Sequence, residues 1–197
     1  MHEIYSTHPN EFNLDSIVNI SSSELSKLSS LKKPNKHIAI FHHKDQVLQK
    51  QNFYLVFDRI NDPGNLGTII RTCHWFGVDQ IICSVDSVDC YNSKVVQSSM
   101  GSLSKVNVVY TDLIKFIKAT NKKIIGTSLN SKSISDYSFK NFDGIIVFGS
   151  ESNGISREIK REINDYISIP KTASNSTAES LNLSISVAIF LSKIKGI

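Results

Sequence analysis

Three polar, glycine-bearing stretches of this chain hold the residues whose types and spacing suit chemistry. In the first, FYLVFDRINDPGNLGTIIRTCHWFG over residues 53 to 77, Asn65, Gly67 and Arg71 follow an Asn-Asp-Pro-Gly turn. Pro63 fixes its own φ, and Gly64 and Gly67 allow a backbone geometry or a close approach that a Cβ would block. Arg71 stands one helical turn after Gly67, and about 100° per residue turns it away from Ile69 and Cys73. In that place it is either a solvated helix arginine or a planar fork able to grip an anionic group. It makes a poor base, because taking a proton from a guanidinium at pH 7 costs on the order of 8 kcal/mol.

The second stretch, GIIVFGSESNGIS over residues 144 to 156, places Gly149, Ser150, Glu151 and Gly154 between an apolar strand and a helix start. It nearly fits the phosphate loop G-x-x-x-x-G-K-[ST]. Ile155 stands where the lysine is needed, and Glu151 sets a carboxylate inside what would be an anion cradle, which suits a cation or hydroxyls better than a polyphosphate. A nucleophile elbow would need glycine at Ser150. An ordinary tight strand-to-helix connection remains the alternative. The third stretch, residues 166 to 194, runs from the strand Tyr166 to Ile169, ended by Pro170, through a polar loop to Ser180, Leu181 and Asn182. Ser180 and Asn182 flank the first turn of a helix, where short polar side chains also serve as simple caps. Leu181, Ile185, Ala188, Ile189 and Ile194 are its expected buried stripe.

The elements that position these residues alternate. Periodicity predicts strands at 53 to 57, 80 to 84, 106 to 109, 123 to 127, 144 to 148 and 166 to 169. Helices are predicted at about 65 to 76, 92 to 100, 111 to 120, from about 156, and 181 to 194. Such alternation means an α/β fold with a mainly parallel sheet and helices on both faces, whose ligands bind beyond the carboxyl ends of the strands.

The chain has 197 residues, 40% of them hydrophobic, enough for one substantial core. We expect residues 51 to 197 to form that domain and residues 1 to 50 to be a partial N-terminal arm or a partial module. In the arm, Leu25, Leu28 and Leu31 would line a short helix capped by Ser22 or Ser23, and HIAIF would be a strand. His37, His42, His43 and Asp45 match no standard metal spacing. Cys73, Cys83 and Cys90 lack C-x-x-C spacing and read as buried reduced thiols. No apolar run reaches the roughly 18 to 20 residues of a membrane span, no secretory signal opens the chain, and the cytoplasm is the expected location. A net charge of +4 is compatible with a polyanionic partner without requiring one.

Taken together, N-x-G-x-x-x-R (Asn65, Gly67, Arg71), G-S-E-x-x-G (Gly149, Ser150, Glu151, Gly154) and I-P followed by S-L-N (Ile169, Pro170; Ser180, Leu181, Asn182) resemble the SpoU (TrmH-like) family of the SPOUT superfamily. The resemblance covers residues 53 to 197, and the segment before them, ELSKLSSLKKPNKHIAIF, resembles the end of the family's small N-terminal RNA-binding domain, which makes residues 1 to 50 a partial N-terminal arm or a truncated RNA-binding domain. It implies an S-adenosylmethionine-dependent methyltransferase acting on a ribose 2'-hydroxyl of rRNA or tRNA, with a C-terminal deep trefoil knot and a homodimer whose active sites lie at the interface. By transfer onto matching positions, Thr127, Gly149, Glu151, Gly154, Ile169, Leu181 and Asn182 would bind the cofactor. Arg71, Asn65, Glu151, Ser180 and Asn182 would surround the reacting groups. No metal is implied, because the sulfonium already makes methyl transfer favourable. The loop from Lys171 to Glu179 departs from the family in being longer and lacking its common glycine. Two other classes stay open on sequence: a nucleotide hydrolase, which lacks the phosphate-loop lysine, and a noncatalytic RNA-binding or dimerisation relative, against which the intact polar motif residues stand.

Overall fold

The computed structural model describes residues 1–14, 16–173 and 177–197, and its chain divides into two units, Met1–Asp45 and Gln46–Ile197. In the first unit, strand β1 (Glu3–Ser6) pairs in parallel with β2 (Ile17–Asn19) and antiparallel with β3 (His37–Ile40). This is a three-stranded sheet where sequence suggested only one strand, because β1 begins and ends on polar Glu3 and Ser6 and β2 is only three residues long. Helix α1 (Ser22–Leu28) starts one residue earlier than expected: Ser21 is its N-cap, in a capping box with Glu24. Of the three leucines assigned to its buried face only Leu25 is buried; Leu28 and Leu31 are exposed.

The second unit follows the expected alternation closely. In chain order it comprises β4 (Phe53–Phe57), α2 (Pro63–Trp75), β5 (Gln80–Ser84), α3 (Ser93–Ser99), β6 (Asn107–Thr111), α4 (Leu113–Ala119), β7 (Lys123–Ser133), β8 (Gly144–Phe148), α5 (Arg157–Lys160), β9 (Asp165–Ser168) and α6 (Leu183–Lys195). The six strands lie in the order β6-β5-β4-β8-β7-β9, every described pairing parallel. Alternate residues of β4 feed two cores. Leu55 and Phe57 join the cluster under α2, α3 and α6, while Tyr54 and Val56 join the cluster under α4 and α5. Helices therefore cover both faces, as a buried parallel sheet requires.

Asp62, Asn92, Asp112 and Asn182 accept backbone N–H bonds as the N-caps of α2, α3, α4 and α6. Helix α6 corrects the sequence expectation about its face. Leu183, Val187, Phe190 and Leu191 are buried, while Ile185 is 51% exposed and Leu181 precedes the helix, 48% exposed. The segment is apolar on two stripes, and the one presenting Phe190 edge-on to Phe148, at 5.3 Å between centroids, packs inward. Cys73, Cys83 and Cys90 are buried free thiols, and burial pushes Cys73 up to about 12. Among the described residues no helix is long and apolar enough to cross a membrane.

Helix α2 lies against α3 at a point where there is no room for a side chain. A Cβ on Gly67 would fall 1.9 Å from Ser98 Oγ and 2.6 Å from the Val95 carbonyl oxygen. Gly67→Ala should therefore destabilise the unit by about 1 to 3 kcal/mol through overpacking. Ser98→Gly added to it should give only partial relief, since the Val95 carbonyl is backbone. Urea unfolding of the single and double variants measures both effects.

Candidate active site

The carboxyl ends of β4 and β8, adjacent in the sheet, deliver the first two motif stretches to one place. At the end of β4, Asp58 is buried and accepts a hydrogen bond from Ser156 N at 2.6 Å, which ties the first turn to the start of α5. Arg59 follows in the left-handed region (φ 59°), with its Nε 3.3 Å from Asp58 Oδ1 and its backbone N–H donating to Ser84 Oγ. Sequence reading passed over Asp58; its signal was a carboxylate directly after an apolar strand, where burial demands a partner.

After β8, residues 149 to 154 form a tight loop. Gly154 N donates to the Ser150 carbonyl at 2.8 Å and Ser150 N donates back to the Gly154 carbonyl at 3.2 Å. Gly154 takes φ +63°, and a Cβ on Gly149 would lie 2.1 Å from the Gly154 carbonyl carbon. Both glycines are thus required by the loop itself. Ile155, at the position of the missing phosphate-loop lysine, is buried in the α4–α5 core and has no cation to offer a phosphate.

The third stretch supplies the N-terminus of α6. Asn182 Oδ1 accepts from Ser184 N at 2.9 Å, Ile185 N at 3.4 Å and Ser184 Oγ at 2.6 Å. Its Nδ2 donates to Asn65 Oδ1 at 2.8 Å, and Asn65 Nδ2 donates to Glu151 Oε1. Asn65 is 8% exposed in the first turn of α2, with its own N–H bonded to Asp62 Oδ1 at 2.7 Å. Residues 65, 151 and 182, far apart in sequence, form one hydrogen-bonded chain. Ser180 takes no part in the cap.

Beside this chain lies a cavity of about 830 Å³. Of the residues expected to bind a cofactor, Thr127, Gly149, Glu151, Gly154, Ile169 and Leu181 line it, as does Ser180, whereas Asn182 sits behind them as the helix cap. Thr127 is held by its Oγ1 donating to the Val147 carbonyl at 3.1 Å, where the β7–β9 register shifts. Its buried lining is apolar, with Phe148, Ile167, Leu183 and Phe190, and its exposed lining mixes polar groups such as Glu151 and Ser180 with Leu129 and Leu181. That composition suits a purine nucleoside carrying hydroxyls and a positive sulfur. The middle of the long Lys171 to Glu179 loop, residues 174–176, lies outside the described residues.

Arg71 stands apart from this assembly. It is exposed, on the side of α2 away from Ile69 and Cys73 as its phase requires, and it lines a different cleft together with His74 and Trp75. Within one chain, therefore, four of the five expected reacting-site residues gather and the fifth does not. Asn182→Ala should remove both the cap and the partner of Asn65, and cost about 1 kcal/mol of stability or somewhat more. Ser180→Ala should change it by less than about 0.5 kcal/mol. Denaturant midpoints of the two variants distinguish cap from bystander.

Comparison with known proteins identifies the family. Residues 52–192 match the model of the SpoU rRNA Methylase family. The chain is 27% identical over 182 residues to the 23S rRNA (guanosine(2553)-2'-O)-methyltransferase RlmP of Bacillus subtilis, covering 90% of this chain and 71% of that protein; it spans less than two thirds of other curated relatives. Among solved structures it is 30% identical to a putative RNA methyltransferase of the TrmH family from Porphyromonas gingivalis, with a TM-score of 0.79 over 98% of this chain and 81% of that one. The AdoMet-bound rRNA methyltransferase of Sinorhizobium meliloti shares the fold, with a TM-score of 0.83 at 24% identity over 98% of this chain and 79% of that one. A match running from β4 into α6, across every motif residue that meets at the cavity, means that this chain belongs to the SpoU rRNA methylase family.

Proposed function

We propose that this chain transfers a methyl group from S-adenosylmethionine to a ribose 2'-hydroxyl of RNA, with rRNA preferred over tRNA. The observation that carries the reading is the Asn182–Asn65–Glu151 chain of hydrogen bonds, which joins three separate motif stretches at the edge of a nucleoside-sized cavity. The name of the Bacillus subtilis relative supports rRNA as the substrate. When bound, S-adenosylmethionine would supply an electrophilic methyl, its sulfur leaving as a neutral thioether while the 2'-oxygen takes the methyl and gives up its proton to water. Gly149, Ile169 and Leu181 would hold the adenosine, with Thr127, Glu151, Gly154 and Ser180 around it. The work of these residues is to position and to exclude water. Arg71 would grip an RNA phosphate or the developing 2'-alkoxide through its fork.

Three further assignments belong to this reading. A deep trefoil knot is supported by the path of the last helix: it follows the edge strand β9 and yet packs back against α2, while Ser168 Oγ donates to the Ser131 carbonyl at 2.8 Å under the β7 segment. The N-terminal unit, with Lys32 and Lys33 exposed, would serve as a short RNA-contacting module of a cytoplasmic enzyme. A homodimer is supported by Ile185 on α6 and Leu181 just before it, exposed apolar side chains that the sheet leaves uncovered. A site assembled between two copies would also account for Arg71 standing away from the cavity of its own chain.

The test separates binding from chemistry. Calorimetry should find one S-adenosylmethionine or S-adenosylhomocysteine site per chain with no competition from ATP, and ribose-methylation mapping should find one position lost from RNA when the protein is removed from cells. Arg71→Lys keeps the charge and loses the fork, so methyl transfer should fall roughly 100-fold while S-adenosylmethionine affinity stays nearly unchanged. Wild-type turnover by that variant would remove Arg71 from the mechanism. Light scattering at micromolar concentration should give twice the 22.0 kDa chain mass. A monomer there would sink the shared site.

A further inference from the structure

The cleft that Arg71 lines, about 530 Å³ in volume, lies at the C-terminal end of α2 and collects an unusual set of exposed groups. Trp75 is the only tryptophan in the chain and is 86% exposed. Four residues after Arg71, it shares that residue's side of the helix, where i and i+4 side chains are neighbours. Across the cleft, Met100 caps α3 in the left-handed conformation (φ 50°), a strained state for a side chain with a Cβ, and projects its thioether outward at 69% exposure. Lys105 adds a second cation. His74 is held in place by Nδ1 against Ser102 Oγ at 3.1 Å. No carboxylate lines the cleft, and among the described residues neither Arg71 nor Lys105 makes an ion pair.

Exposed aromatic surface costs solvation, and two unpaired cations repel each other. Together, with no acid between them, they match one ligand chemistry: a phosphodiester carrying a planar base. We propose that this cleft is a nucleotide-binding step on the RNA path, in which Arg71 and Lys105 hold the backbone and the base of a nucleotide flanking the methylated ribose stacks on the Trp75 indole, with Met100 closing the other side. The proposal rests on the RNA methyltransferase reading above and adds to it a residue that selects for unpaired RNA. A base held inside a duplex offers no free face to the indole, so the cleft takes single-stranded or looped RNA.

Because there is one tryptophan, its emission reports on this spot alone. Titrating the full chain with a mixed-sequence single-stranded oligoribonucleotide of about ten nucleotides should quench it, and the matching duplex should quench it far less. Trp75→Ala should weaken oligoribonucleotide binding roughly 5- to 150-fold, whereas Trp75→Phe keeps most of it. Lys105→Ala should lower the salt dependence of binding by about one charge. S-adenosylmethionine affinity should be unchanged in all three, which also shows that they are folded. RNA binding that leaves the emission untouched, with Trp75→Ala binding as wild type, overturns the stacking site while the methyltransferase reading survives. Emission that shifts to the blue with protein concentration alone, in step with dimer formation, assigns this surface to the second copy and overturns it too. If the wild-type protein binds no RNA and methylates none, both readings fall.

Discussion

The N-terminus of a helix presents backbone N–H groups without intrahelical partners, and the way α6 satisfies two of them sets the polarity of the whole candidate active site. Asn182 turns its carbonyl oxygen to the N–H groups of Ser184 and Ile185 and to the Ser184 hydroxyl, which leaves its amide nitrogen pointing outward as a donor. Asn65 must then accept through its oxygen, so its own nitrogen donates onward, and the group that receives it is the Glu151 carboxylate. Reversing either amide would set two acceptors or two donors face to face. Each neutral link contributes only about 1 kcal/mol net, and the charged one about 1.5 to 3. Their directionality matters more than their sum, because a cap at one end holds Glu151 as an acceptor in a fixed place at the other.

That chain of amides spans three elements, so it keeps its geometry only if they cannot slide. The stacked pair Phe57 and Phe148, with centroids 5.4 Å apart, and Phe190 edge-on to Phe148 lock the ends of β4 and β8 to α6. On the other side of the first turn, the Asp58 carboxylate holds the start of α5 through the Ser156 N–H. A buried carboxylate without partners would be costly; with a backbone donor and the neighbouring Arg59 it becomes a fixed joint. The apolar stacking resists separation and the polar joint fixes register.

Much of this was legible in the sequence, for identifiable reasons. Strands such as FYLVF and GIIVF are continuous apolar runs because both faces of a parallel sheet are covered, and they stood out at their full lengths. The face of α6 did not, since a helix apolar on two stripes gives periodicity no way to choose between them; tertiary contact with Phe148 chose Leu183 and Val187 over Ile185. The motif residues were legible as types, but the bonding among Asn65, Glu151 and Asn182 was not, because cap, relay and solvated side chain look alike in one dimension. Strands β1 and β2 were missed because one begins and ends on polar Glu3 and Ser6 and the other spans three residues, with their pairing supplied by residues across the small sheet. Trp75 lies inside the predicted helix but outside its apolar stripe and was given no role, and only its exposure in the structure singles it out.

Helix α2 carries both halves of the proposed chemistry on one rigid rod. Asn65 belongs to the amide chain at its buried N-terminal turn, and Arg71, six residues on, faces the cleft. At 1.5 Å of rise per residue the two are offset by about 9 Å along the axis and turned by about 240°. No loop intervenes to absorb an error, so any shift of α2 moves the guanidinium relative to the cavity by the same amount. Misplacement of about 1 Å in a reacting group is enough to cost on the order of 100-fold in rate. The contact of Gly67 with Val95 and Ser98 therefore serves more than packing. With the Asp62 cap at one end and the missing Cβ at the start of the second turn, α2 is seated as deeply as backbone allows. Depth of seating is what sets the distance from Asn65 to Glu151 and the height at which Arg71 meets an RNA strand.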